Sequence, residues 1–359
     1  MHNKTVNIIS FQMSYNYGSA LQSYALKQVL EHLGCNIRFI NIKPNCFERT
    51  FNWTYEGANK LKESFEEFQY LHFTPSLDFN MDNDTSWNFS ESEIFIVGSD
   101  QVWNLKYTQE RWQNFFLDFV PEKNKKVAYA ASFGQKNMDF DANIFIEITQ
   151  YLKRFKAISC REKDGADFCQ NKVHVDAIRV LDPTLLNIDY SSLFDYKEYH
   201  SVNKELVFFG FGVDRKLQYE WVKYMGKELQ LSVRVINGNT NESGLLYSHY
   251  VTPSEWLSII YNASILVTNS FHAMAFAINF RIPFIIIPRD LGKTFDEMDF
   301  SRFESLLSDL ELEDRYFSSF EEIQSDHRWK NPIDYDKVYE KLNILKECSL
   351  NFLKQALEN

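Results

Sequence analysis

Hydrophobic and polar positions along this chain fall into repeated blocks: a short apolar run, a polar turn, a stretch with helical spacing, then another apolar run. Residues 6–11 form the first run, and the polar SYNYGSALQSYALKQVLEHLG follows it. Within that stretch Leu26, Val29, Leu30 and Leu33 recur at helical spacing, and Gly34 supplies a stop. Residues 36–40 read as the next strand, so the chain opens as a βαβ unit. Gly18 falls where strand passes into helix, which makes Tyr15, Asn16, Tyr17 and Gly18 a candidate ligand loop. A helix cap at Asn16 and a tight turn at Gly18 explain the same residues as well.

The pattern weakens over residues 43–90, where only 61–68 keep helical periodicity, and an irregular insertion is expected. Asp82 and Asp84 make a D-x-D there, but no strand leads into it, so turn residues are the better reading than a metal pair. The pattern sharpens at EIFIVGSDQVWN, where residues 94–97 read as a buried strand ending in Gly98, Ser99, Asp100, Gln101, Trp103 and Asn104. Asp100 is placed to orient or deprotonate a hydroxyl and Trp103 to stack on a sugar ring; a helix cap and a core tryptophan compete with those roles. Further strands are expected at 126–132 and 157–160, the second followed at once by Arg161 and Glu162, with a helix at 142–155 between them. Val180 and Leu181 then lead into Asp182, Pro183 and Thr184. These polar clusters fall at strand ends, where open α/β sheets bind ligands.

Residues 187–204 lack periodicity and mark a domain boundary. A second α/β series follows: strand 206–210, helix 216–226, strand 232–236, a loop with Gly238 and Gly244, and helix 253–261 capped by Thr252. Next comes SILVTNSFHAMAFAINFRIPFIII, residues 264–287, which reads as buried strand, polar turn, short helix and buried strand. Asn269 or Ser270 can cap the helix that begins near Phe271, leaving backbone N–H groups suited to an anion, with His272 at the strand's exit. Beyond it, Arg289 and Lys293 lie in a polar segment expected to overlie that exit. Helices at 302–310 and 336–356 close the chain. The expected fold is α/β, with two Rossmann-like domains at 1–195 and 196–335 facing a cleft in GT-B-like fashion and a C-terminal helix at 336–359.

Composition narrows the function. The 359 residues are 45% hydrophobic, enough for two cores. No stretch approaches the roughly 18 apolar residues of a spanning helix, and residues 1–9 lack a signal-peptide layout, so a cytoplasmic location is expected. Five widely spaced cysteines without a CxxC pair argue against a disulfide framework or zinc site. A formal charge of -11 argues against nucleic acid as a partner, because phosphate backbones demand a basic footprint.

Several motifs together carry a resemblance. NYGSALQSYAL, FIVGSDQVWN, VAYAASFG, SCREKDGADF, VLDPTLL, TNSFHAMAFAINFRIPFIII and SRFESLLSDLELEDR occur in an order and spacing similar to the polysaccharide pyruvyltransferase family, across residues 6–315. The resemblance implies a GT-B-like fold and transfer of a pyruvyl group from phosphoenolpyruvate to two hydroxyls of a sugar, forming a cyclic ketal on a glycan or polyprenyl-linked glycan precursor. Members often carry Arg-x-His at the turn after the second domain's buried strand. Here His272 matches the histidine, Ser270 stands in place of the arginine, and Ala273 where glycine is common.

Ketal formation needs an acid beside an anionic donor, to protonate C3 and leave an oxocarbenium-like centre at C2. His272 is the expected acid. Arg161 is expected as a bidentate clamp on the donor carboxylate or phosphate, completed by Asn269, Ser270 and Lys293. Asn16, Tyr17, Gly18, Asp100, Gln101, Trp103 and Asn104 are expected to hold the acceptor on the first domain, the second domain being the donor side. The scheme needs no cofactor or metal. A lipid-linked acceptor would bring peripheral contact with the inner membrane face through the aromatic region at 47–68. The alternatives are a GT-B glycosyltransferase using a nucleotide-sugar and a non-catalytic glycan-binding relative, the latter suggested by Ser270.

Overall fold

The computed structural model describes residues 4–43, 58–80, 89–186, 188–194, 205–212, 215–237, 242–289 and 301–358. Lys293, Asp82, Asp84, Gly238 and residues 47–57 lie outside the described residues. The first seven strands are β1 (Lys4–Ile9), β2 (Cys35–Lys43), β3 (Ser76–Asn80), β4 (Ile94–Val97), β5 (Lys125–Ala131), β6 (Ala157–Cys160) and β7 (Ile178–Arg179). They form one sheet in the order β3-β2-β1-β4-β5-β6-β7, all pairs parallel. Helices α1 (Tyr17–His32), α2 (Ala58–His72), α3 (Leu105–Thr108), α4 (Ala142–Leu152) and α5 (Lys163–Phe168) connect them. The reason β4 reads as an unbroken apolar run is visible at once: all its residues are buried, as a central parallel strand covered on both faces requires.

The expected irregular insertion at 43–90 is corrected here, because it carries α2 and β3. β3 pairs with β2 from Phe39 opposite Ser76 to Lys43 opposite Asn80. Its sequence SLDFN hid it: an edge strand tolerates polar residues, and Asn41 donates to Asp78 at 3.0 Å across the pair. Gly34 stops α1 as expected, in the left-handed region at φ 83°.

The second sheet contains β8 (Glu205–Phe209), β9 (Ser232–Ile236), β10 (Leu246–Ser248), β11 (Ile265–Thr268) and β12 (Phe284–Ile286). Its order is β10-β9-β8-β11-β12, again wholly parallel. Helices α6 (Arg215–Leu229), α7 (Pro253–Tyr261), α8 (Phe271–Asn279), α9 (Ser301–Leu310), α10 (Phe320–Ser325) and α11 (Tyr335–Glu358) accompany it. α7 starts with a full capping box, in which Thr252 accepts from the Glu255 amide and Glu255 accepts from the Thr252 amide. In each sheet the strand order reverses once, between β1 and β4 and between β8 and β11. Such reversals are where open α/β sheets place ligands.

Two compact units result: Met1–Thr54 with Phe65–Ile188 and Asn343–Asn359, and Tyr55–Ser64 with Asp189–Leu342. α11 thus begins in the second and ends in the first. In the second unit Tyr335 donates to the Ile282 carbonyl at 2.5 Å, and Arg281 lies 4.5 Å over the Tyr339 ring. In the first, Ser349 accepts from the Leu181 amide at 3.0 Å and Lys4 donates to the Leu357 carbonyl at 2.5 Å. No described helix is long and apolar enough to cross a membrane.

Gly226 tests the helix-on-sheet packing of the second unit. A Cβ there would sit 2.4 Å from Cγ2 of Val233, a side chain too stiff to turn away. Helix propensity alone favours Gly226→Ala by about 1 kcal/mol, whereas overpacking costs about 1–3 kcal/mol. We expect the contact to win and the urea unfolding midpoint of Gly226→Ala to fall; a raised midpoint would show that the contact is not tight.

Candidate functional site

The exits of β1, β4, β5, β6 and β7 lie side by side along the carboxyl edge of the first sheet, and a buried charge network ties them together. Arg161 leaves β6 with only 3% of its side chain exposed. Its Nε donates to Glu162 at 2.8 Å, Nη1 to Asp182 at 3.4 Å and Nη2 to the Ser132 hydroxyl at 3.3 Å. Burial alone would lower the guanidinium's pKa, but Glu162, Asp182 and Asp100 together hold it above the usual arginine range. Asp182 also accepts from Ser99 at 2.7 Å and from the amide and hydroxyl of Thr184 at 3.0 and 2.7 Å.

Arg161, expected as a donor clamp, has its guanidinium turned into the protein and shared among partners from three strand exits, which it holds relative to one another. The signal was the acidic context: Glu162 is the next residue, and Asp182 opens the turn already marked as a strand exit.

On this frame stands the turn after β4. Asp100 has φ 85°, a left-handed conformation uncommon for a residue with a side chain. It is held there on every side. Its carbonyl accepts from the Ser132 amide at 3.0 Å, one carboxylate oxygen accepts from the Gln101 amide at 2.8 Å, and the other accepts from Ser19 at 2.5 Å. Asn104 caps α3 and donates to Gln101 at 2.8 Å. Gly134, at φ 69°, approaches so closely that a Cβ would lie 1.9 Å from Oε1 of Gln101 and 2.6 Å from Nδ2 of Asn104. Asp100, Gln101 and Asn104 are therefore brought together, with Gly134 as the residue whose small size permits it.

Other expected contacts are not brought to that turn. Trp103 is fully buried, its indole N–H donating to the Phe115 carbonyl at 3.0 Å and its face stacked on Phe116 at 5.2 Å. Stacking on a sugar is corrected to a core role, because no face of the ring is open. Asn16 caps α1 by accepting from the Ser19 amide at 3.3 Å. Tyr17 is buried against Phe65 with ring centroids 5.1 Å apart, and Gly18 sits within the first turn of α1. The cap reading holds for Asn16. What the sequence reading missed is the buried polar face of α1. There Ser19 reaches Asp100, and Gln22 donates to Ser10 at 2.8 Å and to the Ser19 carbonyl at 3.0 Å. Polar residues at buried helical spacing in GSALQS were the available clue.

In the second sheet the exits of β8, β11 and β12 adjoin. Asn269 joins two of them: its oxygen accepts from the Phe211 amide at 2.7 Å and its nitrogen donates to the Phe211 carbonyl at 2.8 Å. This amide clip uses both ends of the side chain, so Asn269 ties the β11 exit to the β8 exit at Phe211. Ser270 caps α8, accepting from the Ala273 amide, while its own amide donates to the Thr268 hydroxyl at 3.0 Å. His272 occupies the first turn of α8, 8% exposed, in edge contact with the Phe271 ring. Arg289 is exposed after β12 with its guanidinium 5.7 Å over the Phe211 ring. Gln218, fully buried on α6, donates to the carbonyls of Phe211, Pro288 and Arg289 at 3.0–3.2 Å. A glutamine on an otherwise apolar helix face was the signal for it. Asn269, Ser270, His272 and Arg289 are thus assembled on one unit, whereas Arg161 belongs to the other.

Comparison with known proteins agrees with this architecture. Among solved structures, a putative UDP-N-acetylglucosamine 2-epimerase from Listeria monocytogenes is similar with a TM-score of 0.58 and 10% identity over 100% of this chain and 97% of that one. UGT89C1 of Arabidopsis thaliana in complex with quercetin gives 0.53 and 9% over 98% and 99%. The N-terminal domain of Candida albicans trehalose-6-phosphate phosphatase gives 0.54 and 8% over 99% and 97%. At such identities the likeness concerns the fold, which is GT-B-like. No curated protein matches. The family model for polysaccharide pyruvyl transferase, however, matches residues 16–290, a span that runs from the cap of α1 through both sets of strand exits to the residue after Arg289. By that match this chain belongs to the polysaccharide pyruvyl transferase family.

Proposed function

We propose that the protein transfers the pyruvyl group of phosphoenolpyruvate to two hydroxyls of one sugar in a glycan or lipid-linked glycan precursor, forming a cyclic ketal and releasing phosphate. The observation that carries this reading is the family match over residues 16–290. The geometry supports it by assembling a histidine, a helix N-terminus and an arginine at one sheet edge. His272 protonates C3 of the donor, which becomes the methyl group, and C2 gains oxocarbenium character. A sugar hydroxyl attacks C2 and gives up its proton, phosphate departs, and the second hydroxyl closes the ring with loss of its own proton. The first amides of α8 and the exposed Arg289 bind the donor's anionic groups. Ser270, in the position where arginine is common in the family, contributes a helix cap instead of a charge, so Arg289 and Lys293 carry more of the anion's charge. The Asp100, Gln101 and Asn104 turn of the first unit binds hydroxyls of the acceptor.

Mixing the purified protein with phosphoenolpyruvate and a panel of galactose, glucose and N-acetylmannosamine glycosides, free and lipid-linked, should release phosphate only with an accepted sugar. The sugar product should gain the mass of one pyruvyl ketal; a panel with neither phosphate release nor product would refute the reading. His272→Gln should lower kcat by about 10²–10⁴, the usual contribution of general acid catalysis, with phosphoenolpyruvate binding retained in calorimetry. Gly134→Ala should raise the acceptor KM and leave donor affinity unchanged, because the clash falls on Gln101 and Asn104. Equal KM values for variant and parent would remove that turn from the acceptor site.

A further inference from the structure

We infer that a cavity beside the β5 and β6 exits is a saccharide subsite, which holds a sugar of the acceptor glycan next to the one being modified. The inference rests on the pyruvyl-transfer reading for its setting, but its structural support is separate. The cavity measures about 500 Å³, inside the range of about 300–1,000 Å³ usual for small-molecule sites. It is lined by the segment that follows Gly134 and by α5 with the residues after it. Its floor is aromatic. Phe140 and Phe145 are half-buried, and their ring centroids lie 5.7 and 6.1 Å from Phe168, both in edge contact. Phe168 in turn meets Phe133 at 5.2 Å. Phe133 immediately precedes Gly134, so the floor is packed against the same β5 exit that adjoins Gln101 and Asn104.

The rim decides which ligand fits. Asp139, Asp164 and Asp167 face Lys136 and Lys172 around the opening. With carboxylates outnumbering ammonium groups, the rim disfavours a phosphate or carboxylate ligand, which argues against phosphoenolpyruvate as its occupant. A pyranose presents an apolar C–H face and an equator of hydroxyl donors, which match an aromatic floor and a carboxylate rim. Asp139 and Asp167 make no hydrogen bond or ion pair among the described residues, so their oxygens are open to hydroxyl donors. Phe140 supplies the face and Asp167 the edge contact.

The test is calorimetric titration of the full chain with methyl glycosides of galactose, glucose and N-acetylmannosamine and with β-linked disaccharides of each, without phosphoenolpyruvate. A disaccharide should bind saturably and more tightly than its monosaccharide. Phe140→Ala should weaken it about tenfold, the loss for one buried ring face. Asp167→Asn, which keeps the side-chain volume, should weaken it less and stands in should Phe140→Ala fail to fold. No binding across the panel, or binding that these variants leave unchanged, overturns the subsite. Phosphate release from phosphoenolpyruvate is read separately. Saccharide binding without phosphate release contradicts the proposed function and keeps the subsite. Release with equal KM for monosaccharide and disaccharide, unaltered in both variants, contradicts the subsite and keeps the function.

Discussion

A permanently charged guanidinium buried to 3% exposure cannot be left uncompensated, and the first unit is built around that requirement. Arg161 draws Glu162, Asp182 and Ser132 toward it, and through Asp182 it reaches Ser99. The partners come from the exits of β4, β5, β6 and β7, so one cation fixes the relative position of four loops that the parallel sheet alone would leave independent. Breaking such a pair by removing one partner costs about 3–5 kcal/mol in comparable buried sites. That magnitude exceeds the strain of about 1–3 kcal/mol that a residue in a sparsely populated backbone region stores. Asp100 can therefore be kept in its left-handed conformation, its carboxylate presented at the sheet edge by Ser19 and the Gln101 amide.

The second unit reaches the same end with neutral groups. The two-ended amide clip from Asn269 to Phe211 joins β11 to β8, and Gln218 gathers three carbonyls from the β8 and β12 exits. Gly212 allows that gathering, since at φ 137° its Cβ would lie 2.4 Å from the Arg289 carbonyl.

Much of this was legible in the sequence. The βαβ pattern, the buried runs at Ile94–Val97 and Ile265–Thr268, and the cap at Thr252 follow from periodicity and elementary capping chemistry. The edge strands β3 and β10 were not, because short polar segments at a sheet edge carry little periodic signal. Site residues were located by their place at strand exits, but a position does not give a side chain's direction. Trp103 and Arg161 both leave strands at the expected edge and both turn inward, one to Phe115 and Phe116, the other to the adjacent Glu162 and the more distant Asp182. His272 and Asn269 stand where the sequence put them, and Gly134 and Gln218 emerge only from three-dimensional packing.

The central claim is that the donor binds at the β11 exit against His272. The most direct measurement is heteronuclear magnetic resonance of the protein with isotope-labelled histidine rings, following the His272 signals, assigned with His272→Gln, during titration with phosphoenolpyruvate. The account predicts that these ring signals move saturably as donor is added. Saturable donor binding with the His272 signals unmoved would place the donor elsewhere and contradict the account.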